Sequence, residues 1–274
     1  MPELPEVETV RKGLFNSIVG LRILKVEVFN SSLRYNIPDN LNSTFENKTI
    51  KTVCRRGKHG IIVTNAIFHF QFHLGMTGTF RVVRGKNISI KKHDHLLIVL
   101  SNKINLVYND VRKFGYISLI EKPFDIVNYK NLGFEPNMLV SKLTEIKTKI
   151  KKKKKNIKNL LLDQSIIVGI GNIYANEILF DAKVHPENQA NSLTDKKVEK
   201  IIKSASKIIE KSIVKGGSSI KDYKNLDGDF GYFQNEFKVY GKEGFPCVKC
   251  KNLIIKIKQG GRASFYCPKC QNKK

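Results

Sequence analysis

Four cysteines near the carboxyl end of the chain have the spacing of a metal site. They form two short pairs separated by sixteen residues: Cys247 with Cys250, and Cys267 with Cys270. Each pair can place two thiolates on one side of a tetrahedral ion, and a hairpin can return the second pair to the other side. Four thiolates leave no open coordination position, so the spacing predicts one structural zinc ion. Two disulfides are the alternative, which the lack of a signal-peptide pattern disfavours.

The second position of the chain becomes a nucleophile if the initiator methionine is removed. Pro2 is then a terminal secondary amine, and a free α-amino group has a pKa of about 7.7–8.0, so a useful fraction is unprotonated at neutral pH. Glu3 adds a carboxylate beside this amine. An amine with an adjacent proton donor and acceptor can perform covalent catalysis. The alternative is structural, because prolines are also common in the first turn of a helix.

The charge balance of the chain indicates a polyanionic partner. Lysine and arginine number 49 against 24 acidic residues, a formal net charge of +25, which requires a large positive surface. The unbroken lysines at 151–155 form either a solvated face or a phosphate-binding segment. Hydrophobic residues make up 41% of the chain, yet no apolar run approaches the ~20 residues of a membrane span. Disordered, secreted and membrane proteins are therefore excluded, and we expect a cytoplasmic protein.

These residues must be positioned by two different kinds of structure. Apolar runs at 61–63, 67–72 and 96–100 predict strands of an antiparallel sandwich or barrel, preceded by a helix in which Val7, Val10 and Leu14 share one face. Past a linker at 133–136 the pattern is helical, and the clearest helix begins near Thr194 and ends before Gly216. Strands at 253–255 and 263–266, turning at 259–261, are predicted to carry the cysteines as a hairpin.

Short motifs extend along the whole chain in a fixed order. They are PELPEVETV at 2–10, RGK at 56–58, HLGMTG at 73–78, HDH at 93–95, DVRKFG at 110–115, DQ at 163–164, GIGNIYANE at 169–177, GYFQ at 231–234 and GR at 261–262. In sequence and order these motifs resemble those of the bacterial formamidopyrimidine-DNA glycosylases, and they cover the chain from end to end.

The resemblance implies an α+β multi-domain fold. Residues 1–132 are expected to form a catalytic antiparallel β-sandwich with an N-terminal helix, 133–234 a helical helix–two-turn–helix DNA-binding domain, and 235–274 a zinc β-hairpin finger. The family removes 8-oxoguanine and formamidopyrimidines from duplex DNA and then cuts the abasic strand, so the expected partner is double-stranded DNA containing an oxidised purine or an abasic site. A monomeric, nucleoid-associated bacterial enzyme is expected.

The resemblance also assigns catalytic roles. Pro2 attacks deoxyribose C1′ and forms a Schiff base, with Glu3 as general acid and base. Lys58 and Arg262 assist β- and δ-elimination of the flanking phosphates, although each alone could equally be a phosphate clamp.

Further residues are assigned to DNA contact by the same resemblance. The predicted DNA-binding residues are His93, Arg112, Lys153, Lys158 and Asn172. Met76, Arg112 and Phe114 form a wedge that fills the space of the extruded nucleotide; without the resemblance, Met76 and Phe114 would be assigned to the core. The Gly-x-Gly before Asn172 could also be a simple turn, and His93 with His95 lacks a third metal ligand. Residues 216–233 match a loop that closes over the extruded base.

The chain departs from the family pattern at a few positions. Lys113 and Lys242 stand where arginine is usual, Gly60 where an apolar residue is common, and Ser218-Ser219 where threonine is usual. None of these changes removes a catalytic group. Two other functions remain open: an endonuclease VIII-like glycosylase for oxidised pyrimidines, and a non-catalytic zinc-ribbon protein that binds nucleic acid.

Overall fold

The computed structural model describes residues 2–85, 87–122, 129–218 and 232–273. The backbone forms two compact units, one comprising Met1–Lys130 with Lys215–Tyr232 and the other Asn131–Val214 with Phe233–Lys274. The predicted division into three domains stays a prediction. Most of the predicted closing loop, 219–231, lies outside the described residues.

The first unit opens with the predicted helix. Helix α1 spans Leu4–Ile18, with proline in its first turn, where the missing N–H has no helical partner to lose. Val7, Val10 and Leu14 are buried on one face, as their spacing predicts. A short helix α2 follows at Leu41–Phe45.

Two four-stranded antiparallel sheets form the body of the first unit and confirm the predicted sandwich. One sheet has the order β1-β6-β7-β5 and the other β2-β3-β4-β8. The strands are β1 Ile23–Val28, β2 Ile50–Arg56, β3 His59–Thr64, β4 His69–His73, β5 Thr79–Arg84, β6 Asp94–Leu100, β7 Ile104–Asn109 and β8 Tyr116–Ile120. Their inward side chains and the buried face of α1 form one continuous apolar core.

One predicted strand begins later than its sequence suggests. The apolar run 67–72 is a strand only from His69, and Ile67 is 79% exposed. The Thr64 hydroxyl makes hydrogen bonds with the Ala66 N–H and the Phe68 carbonyl, so these residues form the turn between β3 and β4.

The second unit is helical and ends in a hairpin. Its elements are α3 Leu143–Lys151, α4 Ile157–Leu161, α5 Asn172–Asp181, α6 Asp195–Val214, β9 Ile255–Gln259 and β10 Arg262–Tyr266. Helix α6 buries its apolar face, formed by Val198, Ile201, Ile202, Ala205 and Ile209, and its end falls just before Gly216. The first hairpin strand starts at Ile255, because Leu253 instead pairs with Pro246 in an isolated bridge. Across the described residues, no helix combines the length and apolar character needed to cross a membrane.

Packing against Phe72 explains why position 60 is a glycine. A Cβ atom there would lie 2.0 Å from Cζ of Phe72, a ring with no exposed surface that also packs edge-on against Phe80 at a centroid distance of 4.8 Å. The aromatic ring of Phe72 therefore fills the space that a side chain at position 60 would need.

We expect Gly60→Ala to lower the free energy of unfolding by about 1–3 kcal/mol, the usual effect of overpacking a core. Urea unfolding followed by circular dichroism measures it. The matched double variant Gly60→Ala/Phe72→Leu should recover part of the loss, since leucine leaves room for the added methyl group. An unchanged midpoint for the single variant would contradict the packing explanation.

Candidate active site and zinc centre

Pro2 and Glu3 lie buried at the start of α1, in the first unit. The carboxylate of Glu6 accepts a hydrogen bond from the Glu3 N–H at 2.8 Å, which fixes the backbone at the candidate nucleophile. The same carboxylate accepts from both the N–H and the hydroxyl of Ser218, at 2.7 and 2.9 Å. Glu6 therefore joins the chain start to the residue that precedes the undescribed segment 219–231.

Lys58 lies half-buried in the tight turn between β2 and β3. One salt bridge ties this turn to α1: Glu8 accepts from Arg55 at 2.8 Å, and Arg55 also donates to the Gly57 carbonyl at 3.0 Å. The partly buried Arg55 side chain thus spans from the helix that begins beside Pro2 to the turn that carries Lys58. Pro2 and Lys58 therefore belong to one connected region of the first unit.

The three predicted wedge residues lie on two loops joined by the carboxylate of Asp110. This fully buried side chain accepts from the Thr77 hydroxyl at 2.5 Å, from the Gly115 N–H at 2.8 Å and from the Arg112 N–H at 3.3 Å. One loop carries Met76 and the other carries Arg112 and Phe114.

The two wedge loops touch each other through their backbones. Gly75 has a positive φ of 59°, and a Cβ on it would lie 2.3 Å from the backbone nitrogen of Gly115. Only glycine permits both this conformation and this approach. Phe114 is 45% exposed, and the Arg112 guanidinium lies 4.9 Å from the centroid of its ring. The loops therefore present an arginine–aromatic pair to solvent.

His93 lies half-buried directly before β6, and its carbonyl accepts from the Asp110 N–H at 3.1 Å. The two residues that follow His93 make other contacts. The Asp94 carboxylate binds Arg81 at 2.6 Å, and His95 Nε2 lies 2.8 Å from the Asp110 carbonyl. In the described ranges, the four cysteines form the only cluster of three or more potential metal ligands, and it excludes His93. The phosphate contact of His93 stays a prediction.

In the second unit, Arg262 is exposed at the first position of β10. The next residue is held from two sides, because the carbonyl of Ala263 accepts from Lys158 Nζ at 2.8 Å and from Asn172 Nδ2 at 3.0 Å. Asn176 on α5 also accepts from the Phe265 N–H at 2.7 Å. The helices thus fix the hairpin strand that presents Arg262.

The structure separates the predicted phosphate ligands by exposure. Lys153 is exposed after α3, whereas Lys158 has no exposed surface and Asn172 opens α5 half-buried. Lys158 is thus not an exposed side chain: its ammonium group donates to the Ala263 carbonyl and so holds the hairpin. The DNA contacts of Lys153, Lys158 and Asn172 stay predictions.

A buried carboxylate anchors the segment that leads to the hairpin. The sequence alone assigns this residue no role. Glu177 on α5 accepts from three consecutive backbone N–H groups, those of Lys238, Val239 and Tyr240, at 2.8–3.0 Å. Burial raises the pKa of Glu177, and these three bonds oppose that rise. Glu6, Asp110 and Glu177 all lie inside the motifs that carry the family resemblance. These motifs are the one sequence signal that points to the three carboxylates.

The four cysteine sulfurs fit a tetrahedral zinc ion. All four lie within 4.8 Å of one another, with Cys250 and Cys267 at 3.3 Å and Cys247 and Cys270 at 3.9 Å. Zinc–sulfur bonds of about 2.3 Å place thiolates about 3.8 Å apart. Burial and the neighbouring thiols raise the pKa of Cys270 to about 12 in the metal-free chain, so a cation is needed to hold it as a thiolate. The geometry and donor set fit one structural zinc ion.

A β-sandwich with Pro-Glu at the start of its helix, a helical unit and a four-cysteine hairpin define the class of zinc-finger DNA glycosylases. Three family models match in order: the formamidopyrimidine-DNA glycosylase N-terminal domain over 1–117, its H2TH domain over 132–224, and the zinc finger found in FPG and IleRS over 244–273. The chain belongs to the formamidopyrimidine-DNA glycosylase family.

Individual relatives match over their whole length. The formamidopyrimidine-DNA glycosylase of Rickettsia africae is 43% identical, covering 99% of this chain and 99% of its own, and that of Rickettsia bellii is 41% identical at the same coverage. A Lactococcus lactis FPG variant in complex with DNA containing Fapy-dG superposes with a TM-score of 0.91 at 39% identity, covering 99% of this chain and 100% of the other. The resemblance and fold class expected from the sequence are confirmed.

We expect zinc removal to unfold the hairpin, because the apolar cluster around it is small and includes Cys247 and Cys267 as members. Amide hydrogen exchange should show lost protection in β9 and β10, while the strands of the first unit keep theirs. Cys250→Ser should reproduce the effect and lower bound zinc. Cys54→Ser, at a half-buried cysteine on β2, is the matched control and should leave zinc content unchanged. Full hairpin protection in verified zinc-free protein would contradict this expectation.

Proposed function

We propose that this chain excises oxidised purines from duplex DNA and then cleaves the abasic strand through a Schiff base on Pro2. The observation that carries the proposal is the buried Pro2-Glu3 pair at the start of α1 in a member of this family. Relatives of 39% identity have been solved with DNA containing Fapy-dG, and with DNA containing carbocyclic 8-oxo-G. A Lactococcus lactis Fpg of the same identity is bound to abasic-site DNA.

The chemistry follows from a secondary amine. The lesion must first leave the base stack, because its C1′ is unreachable inside the duplex. The Pro2 nitrogen then bonds to C1′ as the bond from C1′ to the base breaks, and ring opening gives an iminium that is cationic without further protonation. This iminium withdraws electrons, so loss of a C2′ proton expels the 3′ phosphate, and a second elimination expels the 5′ phosphate. Glu3 supplies and removes protons during ring opening.

Lys58 and Arg262 assist the two eliminations. Lys58 lies in the turn that Arg55 ties to α1, which supports a role close to the Pro2 adduct. A guanidinium is a poor proton donor, so Arg262 acts on the flanking phosphates chiefly through charge and paired hydrogen bonds. The bonds to Ala263 support a fixed position for Arg262 on its strand.

The positive charge of the chain supports binding to the phosphate backbone. His93, Arg112, Lys153, Lys158 and Asn172 are the proposed phosphate and DNA contacts, and the net charge of +25 favours association with any nucleic acid. We place the enzyme, as a monomer, at the bacterial nucleoid in the cytoplasm.

Oxidised pyrimidines are a second candidate substrate class. A Lactococcus lactis FPG of 38% identity has been solved in complex with DNA containing an oxidised pyrimidine, with a TM-score of 0.90. Single-turnover excision of 8-oxoguanine and of an oxidised pyrimidine, measured side by side, decides between the two. Faster excision of the pyrimidine would make that lesion the main substrate.

We expect sodium borohydride to reduce the enzyme–DNA iminium on duplex containing 8-oxoguanine to a stable adduct that maps to Pro2. The reason is that only an iminium, and not the free amine or an ester, is converted to a permanent bond. Protein that retains Met1 is the control, because its Pro2 nitrogen is an amide without a reactive lone pair. Equal trapping by both forms would show that another group is the nucleophile.

We expect Arg112 to read the base opposite the lesion. A guanidinium has only donors, and the Watson–Crick edge of cytosine offers two acceptors, O2 and N3, whereas adenine places its N6 donor beside N1. A good bidentate contact contributes about 1–3 kcal/mol, or roughly tenfold to a hundredfold in rate. Arg112→Ala should therefore lower excision and flatten the preference for lesions opposite cytosine.

Two control variants isolate this contact. Phe114→Ala should lower excision but keep the cytosine preference, because ring stacking does not distinguish the two bases. Lys113→Ala removes the same charge at the neighbouring position and should also keep the preference. If Arg112→Ala leaves the ratio of rates unchanged, the opposite base is read elsewhere.

A further inference from the structure

Three rings lie side by side across one end of the second sheet of the sandwich. They are His59, the first residue of β3; His73, the last of β4; and Tyr116, the first of β8, and the strand register pairs them in that order. The His73 and Tyr116 rings are stacked, with centroids 5.4 Å apart and planes 8° apart, and His59 lies 5.1 Å from His73. We call these three residues the ring row.

Each member of the ring row lies next to a segment of the candidate site. His59 directly follows Lys58, His73 precedes Gly75 and Met76, and Tyr116 follows Phe114 and Gly115. The spacing of the three strands at this end of the sheet therefore also sets the distance between Lys58 and the two wedge loops.

One hydrogen bond joins two members of the ring row to each other, and another joins the third member to a wedge loop. Nδ1 of His73 accepts from the Gly75 N–H at 3.0 Å, and Tyr116 Oη lies 2.8 Å from Nδ1 of His59. The first bond holds the residue whose backbone touches Gly115, and Gly115 is in turn held by Asp110. His73 thus acts on both wedge loops through one contact.

The protonation states match this geometry. Burial lowers the pKa of His73 to about 3, with further lowering by His59, Lys58 and Arg34, and burial lowers the pKa of His59 to about 4. Burial raises the pKa of Tyr116 to about 12, so its hydroxyl keeps the proton that it donates to His59. Both histidines are neutral at physiological pH, and each Nδ1 is available as an acceptor.

We propose that the ring row sets the positions of the wedge loops that carry Met76 and Phe114, and that His73 is a positioning residue for nucleotide extrusion through its hydrogen bond to Gly75. The inference rests on the proposed function, because it concerns the wedge of that reaction. It predicts a loss of rate confined to substrates whose nucleotide must leave a duplex. Among the described residues, no hydrogen bond or ring contact joins the nucleophile Pro2 to the ring row.

The test compares two substrates in single-turnover assays with zinc-loaded, full-length enzyme. His73→Leu removes the acceptor and keeps the bulk, and should slow excision of 8-oxoguanine from duplex DNA about tenfold, a typical effect of leaving one N–H unpaired. Cleavage of a preformed abasic site in single-stranded DNA, which needs no extrusion, should change less than about twofold. His73→Asn places an amide oxygen near the Nδ1 position and should restore duplex excision to within about threefold.

Matched controls lie on the same strand. His69, at the other end of β4, is also buried, and its Nδ1 has no hydrogen-bond partner in the part of the chain that the structure describes. His69→Leu and His69→Asn make the same chemical changes away from the loops and should leave the ratio of the two rates unchanged. Tyr116→Phe is the second variant if His73→Leu does not fold, and should also slow duplex excision selectively.

The outcomes separate the two proposals. An equal loss on both substrates, or an asparagine variant no better than leucine, would overturn the positioning role and leave a purely structural one. Failure of the wild-type enzyme to excise 8-oxoguanine from duplex DNA would instead overturn the proposed function, whatever the ring-row variants do.

Discussion

Three carboxylates with almost no exposed surface hold the backbone of the segments that carry the candidate catalytic and DNA-contacting groups. Asp110 joins the two wedge loops, Glu6 joins the chain start to Ser218, and Glu177 holds the segment that leads to the zinc hairpin. A buried charge is costly unless each lone pair finds a donor, and here each carboxylate accepts three or more hydrogen bonds. Removing a carboxylate would leave one backbone N–H unpaired inside the protein for Asp110, two for Glu6 and three for Glu177, so these contacts constrain the segments built on them.

The same constraint explains how a chain of such high positive charge keeps an ordered site. The few acidic residues are used where they determine geometry: Glu8 binds Arg55 and Arg11, and Asp94 binds Arg81. Two lysines in and near the 151–155 run are tethered as well, since Lys151 donates to the Leu193 carbonyl and Lys147 pairs with Asp195. The lysines at 152–155 are all exposed, and Lys155 also pairs with Asp163 at 3.4 Å, so the free surface charge of this run lies mainly at 152–154.

The sequence allowed the fold to be predicted further than the site. Apolar runs in the strands, helical spacing in α1 and α6, and the paired cysteines each report a local property, and each prediction agrees with the structure apart from shifted strand starts at His69 and Ile255. Burial of polar groups is not local. A lysine next to a lysine run gives no sign that Lys158 has no exposed surface, and the hydrophobic pattern would place Phe114 inside although it is 45% exposed. The motifs indicated which residues matter, but not which backbone groups Asp110, Glu6 and Glu177 bind.

The zinc ion and the buried carboxylates solve the same problem in different ways. The first unit has a large core, so its loops can be fixed by single side chains such as Asp110 that reach out from the sandwich. The hairpin has only a small apolar cluster, to which two of the cysteines themselves belong. Four metal–sulfur bonds replace the missing core, and the bonds from Lys158, Asn172 and Asn176 then set the hairpin against the helices. Arg262 needs both: the metal gives its strand a fold, and the helices fix the position of that strand, so a structural zinc ion determines where this arginine lies.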